Sequence, residues 1–308
     1  MGADDGAAGP VLVRVAEPAD HPAVAVLRAS AGWRPPDVPG PPGLCVAMSA
    51  GPAGLVVGYG AWWQVRSGKF RMDLLVAPQW RGKGAGSGLL GYVAGQARGA
   101  GAATLQARVD AGQVQSLGFL LARGFVETMR MHRQVLQVAD ASLAGHEHLM
   151  ARLAGRGITI TPLEHELASR ADCWEEYCRL FNAAREGWPD PDPGPVVPLT
   201  PPEFRRRYRA YEVEHRVGAA ESFLAAQGER YVGFTGAMGT GVDPACRGQG
   251  IATALKLRAV SSARDHGMVT LDTGSGNPAM LRVNEKLGFR VVSTEIRLVR
   301  TLESHRQR

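Results

Sequence analysis

The residues with the clearest chemical potential form a glycine-punctuated stretch that begins at Val242, between a short apolar strand and a helical stripe. A turn from a strand into a helix points main-chain N–H groups outward at the positive end of the helix dipole, which makes a seat for a phosphate or a pyrophosphate. Gly248 and Gly250 allow the main chain to approach a ligand closely, and Arg247 adds a donor of fixed positive charge. The stretch therefore predicts a binding site for a phosphate-bearing ligand.

The same pattern of residues occurs twice in the chain. The stretch from Val76 to Gly86 repeats the loop, and Gly124-Phe125 repeats the later pair Gly288-Phe289. Arg247 follows Arg81 by 166 residues, and Gly288 follows Gly124 by 164 residues. A nearly constant offset across two motifs indicates a duplicated domain.

The spacing Arg247-x-x-Gly250-x-Ala252, followed by the segment from Asn277 to Phe289, resembles the cofactor motifs of the GCN5-related N-acetyltransferase (GNAT) superfamily. The resemblance implies an α/β (α+β) fold of two tandem GNAT-like domains, each a mixed central sheet flanked by helices. It also implies acetyl-CoA as the cofactor, with loop amides on its pyrophosphate. The implied cofactor-binding residues are Val76, Arg81, Gly82, Lys83, Gly84, Ala85 and Gly86 in the first copy, and Val242, Arg247, Gly248, Gln249, Gly250, Ile251, Ala252, Thr253, Asn277 and Asn284 in the second.

The elements that would position these loops follow the same duplication. A strand predicted from Val11 has its counterpart at Ile158, and the alternating segment from Lys69 to Val76 leads into the first loop. The hairpin before the second loop is unusually short. These patterns predict a disordered N-terminus over residues 1–10, a first domain over 11–138, a linker over 139–157 and a second domain over 158–302.

Acetyl transfer to a primary amine needs a base, because the amine must lose a proton. Members of the family often place this base on the strand before the loop, where the first copy has Asp73. Asp73 is therefore a candidate catalytic residue, and an ion-paired residue on the strand surface is an equal alternative. At the same place the second copy has Met238, Gly239, Thr240 and Gly241. The tyrosine that the family often uses as an acid is replaced by Leu120 and Asn284.

The second cofactor motif is more complete in the second copy. Asn277 before Pro278 is a typical helix cap, and the resemblance gives the same asparagine a contact with the cofactor. The first copy has Gln113 at the matching place. We therefore expect the second domain to be the better cofactor binder and the main active site.

Three aromatic residues are candidates for the acceptor pocket. Trp174, Tyr177 and Trp188 lie in the helix and loop where the family builds that pocket, and aromatic walls suit a cationic amine. The alternative is an amphipathic helix packed in the core and followed by a solvated, proline-rich loop.

Composition excludes several other classes of protein. The chain has 308 residues, 45% hydrophobic and 21% charged, which is typical of globular domains, and no apolar run has the length of a membrane span. The net charge of +6 is scattered, which argues against nucleic-acid binding. Its four cysteines show neither zinc spacing nor a disulfide framework, so no metal is expected. Because no secretion signal is visible, we expect a cytoplasmic protein. We also expect it to be a monomer or a homodimer.

Together these features predict an acetyltransferase that moves an acetyl group from acetyl-CoA to the primary amine of a small molecule. Two alternatives remain at this point. In the first, the chain is a catalytically silent module that binds acyl-CoA or another protein. In the second, it is an enzyme whose activity resides in the first domain.

Overall fold

A computed structural model describes residues 11–30, 43–50, 54–186, 188–192, 197–215 and 222–302. The predicted disordered N-terminus, residues 1–10, lies outside the described residues. The chain divides into two compact units, one of Met1–Thr128 with Ile296–Arg308 and one of Met129–Glu295. Within the described residues, no helix combines the length and the apolar character that crossing a membrane requires.

The first unit is built on a mixed sheet with helices on both faces. Strands β1 to β4 are antiparallel neighbours, and β5 joins β4 in parallel. The C-terminal part of β12 follows β5 in the sheet order. The elements are β1 (Leu12–Val15), α1 (His21–Ser30), β2 (Gly43–Met48), β3 (Val56–Arg66), β4 (Lys69–Val76), α2 (Ala85–Gly99), β5 (Thr104–Asp110), α3 (Val114–Leu121) and β12 (Arg290–Thr301).

Strand β4 shows how the sequence positions the first loop. Its alternation sends Phe70 and Met72 into the cluster beneath α2, while Leu75 packs on the opposite face with Tyr59 and the α1 residue Val24. This is the period of two that a strand buried on both faces requires. Because each face is covered by a helix, the end of β4 is held firmly where the loop begins.

The second unit contains a four-stranded antiparallel sheet and a second group of strands, β6, β11 and the N-terminal part of β12. The order of the sheet is β10-β9-β8-β7, and β11 pairs with β6 from Thr270–Gln137 to Ser275–His132. The elements are β6 (Val126–Gln137), α4 (His146–Ala154), β7 (Ile158–Pro162), α5 (Leu163–Ser169), α6 (Cys173–Arg185), α7 (Pro201–His215), β8 (Phe223–Gln227), β9 (Arg230–Gly236), β10 (Gly239–Val242), α8 (Ile251–Asp265), β11 (Thr270–Ser275) and α9 (Pro278–Leu287). The predicted short hairpin is present, since β10 has 4 residues where β4 has 8.

The two units divide the chain differently from the predicted domains. The stretch 126–138 was expected to close the first domain, yet most of β6 lies in the second unit, where it pairs with β11. Conversely, Ile296 and Leu298 of β12 are buried in the core of the first unit. Both strands follow a Gly-Phe pair, so the sequence repeat does not show which sheet each strand joins. The segment 139–157 contains the helix α4.

Candidate functional site

The two glycine loops have the same backbone conformation. Each begins with a single turn of 3-10 helix and continues through two glycines with positive φ, 75° and 89° at Gly82 and Gly84 and 77° and 90° at Gly248 and Gly250. A side chain is disfavoured at such angles, because its Cβ crowds the neighbouring carbonyl oxygen. The repeated sequence spacing is therefore a repeated conformation.

An arginine ties each loop to the strand that precedes it. Arg81 Nε donates to the carbonyl oxygen of Val76 at 3.3 Å, and Arg247 Nε donates to that of Val242 at 3.4 Å. Arg247 also donates to the carbonyl oxygen of Ala184 at 3.4 Å. The arginines thus fasten the loops in addition to bringing positive charge to them.

Each loop ends at the start of a helix whose first main-chain N–H groups donate no helical hydrogen bond. The first hydrogen bond of the α2 ladder runs from Gly88 N to Gly84 O, and that of α8 runs from Ala254 N to Gly250 O, both at 3.0 Å. The N–H groups of residues 85–87 and 251–253 therefore precede the ladders and lie at the positive helix ends. Neither helix has an acidic residue in its first turn. Both ends are suited to an anion.

The space beside the loops is open enough for a ligand. A Cβ placed on Gly82, Gly84 or Gly248 would meet no atom within 4 Å. At Gly250 it would lie 3.0 Å from the Leu149 side chain of α4. The conformation, the free amides and this open space together fit a bound diphosphate.

The sheet of the first unit opens beside the loop. The parallel pairing of β4 with β5 runs from Lys69–Thr104 to Arg71–Gln106 and then stops, so Met72 to Val76 have no partner in β5. In the second unit β10 pairs with β9 and β11 pairs with β6, and the described strands have no ladder between β10 and β11. Unpaired strand backbone can hydrogen-bond an extended ligand.

Asp73 lies where the sheet of the first unit begins to open. It follows the last paired residue of β4 by two positions and stands opposite Ala61 of β3. Burial raises the pKa of Tyr59 to about 12, although a hydrogen bond from Arg28 opposes this rise. The negative charge of Asp73 contributes to the rise in the pKa of Tyr59. Asp73 therefore lies near Tyr59 on the face of the sheet that α1 covers, and its carboxylate can accept a proton there.

The asparagines of the second copy have different surroundings. Asn277 Oδ1 accepts a hydrogen bond from Ala279 N at 2.9 Å, so its predicted role as the cap of α9 is confirmed. Asn284 is fully buried and donates its Nδ2 to Gln134 Oε1 at 2.8 Å. In the first copy Gln113 precedes α3 without a capping hydrogen bond from its side chain.

Comparison with known proteins decides the family. The model of the acetyltransferase (GNAT) family matches residues 18–125 and again residues 174–289, which together are well over half of the chain. The chain belongs to the GNAT family. The resemblance read from the two loops is thereby confirmed, and so is the α/β fold of two GNAT repeats.

Solved structures support the tandem GNAT fold. A GCN5-related N-acetyltransferase from Sphaerobacter thermophilus is 18% identical, with a TM-score of 0.64 over 95% of this chain and 96% of that one. A tandem GNAT protein from the clavulanic acid biosynthesis pathway is 16% identical, with a TM-score of 0.58 over 96% of this chain and 99% of that one. A glucosamine N-acetyltransferase region of a fungal β-N-acetylglucosaminidase has a TM-score of 0.65 at 15% identity, over 94% of this chain and 38% of that one. No curated protein sequence matches this chain.

The second GNAT repeat lacks a carboxylate at the place of Asp73. Counted back from the equivalent strand ends Val76 and Val242, that place belongs to Gly239. A Cβ on Gly239 would lie 3.6 Å from the ring of Trp188, and one on Gly241 would lie 2.5 Å from the ring of Phe234. Aromatic rings therefore pack against the strand backbone of β10.

Of the three aromatic residues predicted for the acceptor pocket, Trp188 is the most exposed, at 37%. Tyr177 is 1% exposed and packs on Phe204 with ring centroids 4.8 Å apart, and burial raises its pKa well above the ordinary value. Trp174 is half-buried and stacks on Tyr177 at 6.4 Å. The core-packing alternative thus describes Tyr177, whose side chain presents almost no surface to a ligand.

Two cationic residues near the second loop were missed from sequence. Arg152 donates to the main-chain oxygen of Gln249 at 3.5 Å. Arg156 donates to the side-chain Oε1 of the same residue at 3.4 Å. Both lie in the stretch interpreted as a linker. Two basic residues four positions apart were the available signal, and the structure places Arg152 in α4 and Arg156 in the turn after it.

Proposed function

We propose that this protein transfers the acetyl group of acetyl-CoA to the primary amine of a small molecule. The observation that carries the proposal is the position of Asp73, at the opening between β4 and β5 and on the strand that leads into an anion-binding loop. A phosphate seat and a proton acceptor on one strand are what transfer from a diphosphate-bearing thioester to an amine requires.

The loop residues would hold the cofactor. The amides of residues 83–86 in the first unit, and 249–253 in the second, would donate to the pyrophosphate, while Arg81 and Arg247 keep the loops in place. Bound acetyl-CoA supplies a thioester carbonyl that a neutral amine can attack. The unpaired backbone of β4 would align the extended arm of the cofactor.

Asp73 would take the proton of the attacking amine, directly or through one water. The amine is the natural acceptor class, because a carboxylate both attracts an alkylammonium and accepts its proton. Main-chain N–H groups of the unpaired part of β4 would stabilise the charge that develops on the carbonyl oxygen. Cleavage of the C–S bond would then release the coenzyme A thiolate, which would take a proton from solvent.

We assign transfer to the first unit, although the sequence patterns favoured the second. The more complete motifs of the second repeat concern cofactor binding, and the structure adds Arg152 near its loop. Its strand β10 has Gly239 in place of the base, with Trp188 packed beside it. This observation favours, as a second candidate function, an acyl-CoA-binding role for the second unit without transfer.

The test is release of thiol from acetyl-CoA by the full chain in the presence of a panel of primary amines, including amino sugars and amino acids. We expect at least one amine to raise the rate well above the amine-free control, with mass spectrometry showing the acetylated product. If acetyl-CoA binds but no amine accelerates thiol release, the silent-module alternative replaces this proposal. If acetyl-CoA does not bind, both fail.

A further inference from the structure

Lys256 is an unusual, partly buried cationic residue of α8. It lies nine positions after Arg247, and the residue nine positions after Arg81 is Leu90, which is buried in the core of the first unit. The neighbours of Lys256 in the helix, Leu255 and Leu257, are likewise buried. The second unit therefore has an ammonium group where the first has a core leucine.

The ammonium group is part of a polar cluster. Lys256 Nζ lies 3.3 Å from Thr273 Oγ1 and 5.5 Å from the ring centroid of Phe289. Thr273 of β11 pairs with Gln134 of β6, so their side chains share one face. On that face Asn284 donates to Gln134 at 2.8 Å. We call Lys256, Thr273, Gln134 and Asn284 the Lys256 cluster.

The cluster contains unsatisfied polar atoms. Gln134 Nε2 and Asn284 Oδ1 have no hydrogen-bond partner, and both residues are 0% exposed. The pKa of Lys256 is lowered to about 8, and burial is the only cause. Lys256 keeps part of its surface exposed, so a ligand can reach it. Its ammonium group is poorly hydrated and has no counter-charge, so it gains from any oxygen acceptor that reaches it.

The other charged groups nearby are engaged or directed elsewhere. Asp272 precedes Thr273, so strand alternation puts it on the opposite face, where it pairs with Arg133. Glu285 and Lys286 of α9 are exposed. His132 Nδ1 of β6 is 3.0 Å from Thr294 Oγ1. The guanidinium group of Arg258, on α8 itself, lies over the Phe223 ring at 5.8 Å.

The position of Lys256 connects it to the second loop. It follows Ala252 by four residues and Thr253 by three, so it shares their side of the helix. The amides of residues 251–253 form the anion seat. Its partner Thr273 lies on β11, the last strand of its sheet, as β10 is the last strand of the other. A ligand that extends from the seat along this side of α8 would reach Lys256.

We propose that Lys256 is a further cofactor-binding residue of the second unit, whose ammonium group donates to an oxygen of an acyl-CoA held at the second loop. This proposal depends on one part of the proposed function, namely that the second loop binds the cofactor. Because the cofactor would favour the charged lysine, its affinity falls as the pH rises through and above about 8. In the first unit, where Leu90 stands instead, no such dependence arises.

The test uses the full chain carrying Arg81→Ala, so that calorimetry with acetyl-CoA reports mainly on the second loop. Adding Lys256→Met should weaken binding at pH 7 by about tenfold to a hundredfold, as expected for a hydrogen bond from a charged donor. Lys256→Arg should bind within about threefold of the parent and, because arginine stays charged, lose the dependence on pH between 7 and 9.5.

Two further measurements keep the result interpretable. Thermal unfolding of the Lys256→Met variant should be unchanged or occur at a higher temperature, since an apolar side chain replaces a buried charge. S-acetylpantetheine, which lacks the diphosphate, identifies the cofactor oxygen that Lys256 contacts. If Lys256→Met also weakens binding of S-acetylpantetheine, the oxygen lies in the pantetheine arm. If Lys256→Met weakens binding of acetyl-CoA alone, the oxygen belongs to a phosphate.

Unchanged affinity in Lys256→Met, or affinity of the parent that does not depend on pH, would overturn the inference. A drop in both affinity and melting temperature that Lys256→Arg does not restore would show a structural role and overturn it too. If the Arg81→Ala protein binds no acetyl-CoA while the wild type does, the inference fails and transfer by the first unit stands.

Discussion

Replacing Asp73 with asparagine removes a carboxylate at the opening of the first sheet while keeping the shape of the side chain. Asparagine leaves the backbone pairing of residue 73 with Ala61 in place, and thermal unfolding of the variant checks that it folds as the wild type does. A positioned general base contributes about 10²- to 10⁴-fold to the rate. We therefore expect kcat to fall by that factor, about 2.7 to 5.5 kcal/mol in the activation barrier.

The assay is thiol release from acetyl-CoA with the best amine of the panel, together with calorimetry of cofactor binding. Affinity for acetyl-CoA should stay within about threefold, because the proposed seat of the diphosphate is formed by the loop amides and not by Asp73. The loss in kcat should shrink for an amine of low pKa, which is already neutral at the assay pH and needs less help from a base. The matched control is Asp172→Asn, which removes an exposed carboxylate paired with Arg170 in the second unit and should leave kcat unchanged.

The reasoning is refuted if Asp73→Asn retains kcat within about threefold for an alkylamine. It is equally refuted if the variant loses the same factor with every amine and loses cofactor affinity in parallel, because that pattern reports a distorted site rather than a missing base.

Six other substitutions test the two loops and the cap of α9. Arg81→Ala should lower amine-dependent thiol release and Arg247→Ala should not, since each arginine fastens its own loop; turnover lost in Arg247→Ala alone would move the chemistry to the second unit. Gly84→Ala should cost about 1 to 2 kcal/mol of unfolding free energy, because its φ of 89° disfavours a Cβ. Gly250→Ala should cost more in urea unfolding, since its methyl group would also meet a leucine side chain of α4 at 3.0 Å; equal costs would show that α4 yields freely. Asn277→Ala should cost about 1 kcal/mol through loss of the cap, and Asn277→Asp should restore it in the same measurement.

The loops were predictable because their cause is local. Two glycines at the required spacing are needed for positive φ, and the arginine before them reaches back to the end of the strand over five residues. Such interactions depend on neighbours in the chain. The cap at Asn277 is local for the same reason.

The acceptor side was less predictable, because it depends on packing between distant segments. Tyr177 has the composition of a pocket residue, yet α7 and β9 bury its ring between Phe204 and Phe234. The amphipathic pattern of α6 indicates which side is apolar, and it does not indicate whether a helix or a ligand covers that side.

The sequence by itself determined the duplication, the two glycine turns and the family, since short-range backbone requirements leave a readable spacing of glycine and arginine. The tertiary structure decided the remaining points. It placed Asp73 where the pairing of β4 with β5 stops, set the Trp188 ring against Gly239, and brought Lys256 to Thr273. Each of these depends on strand register or helix packing between segments far apart in the chain, and no local residue pattern encodes that proximity.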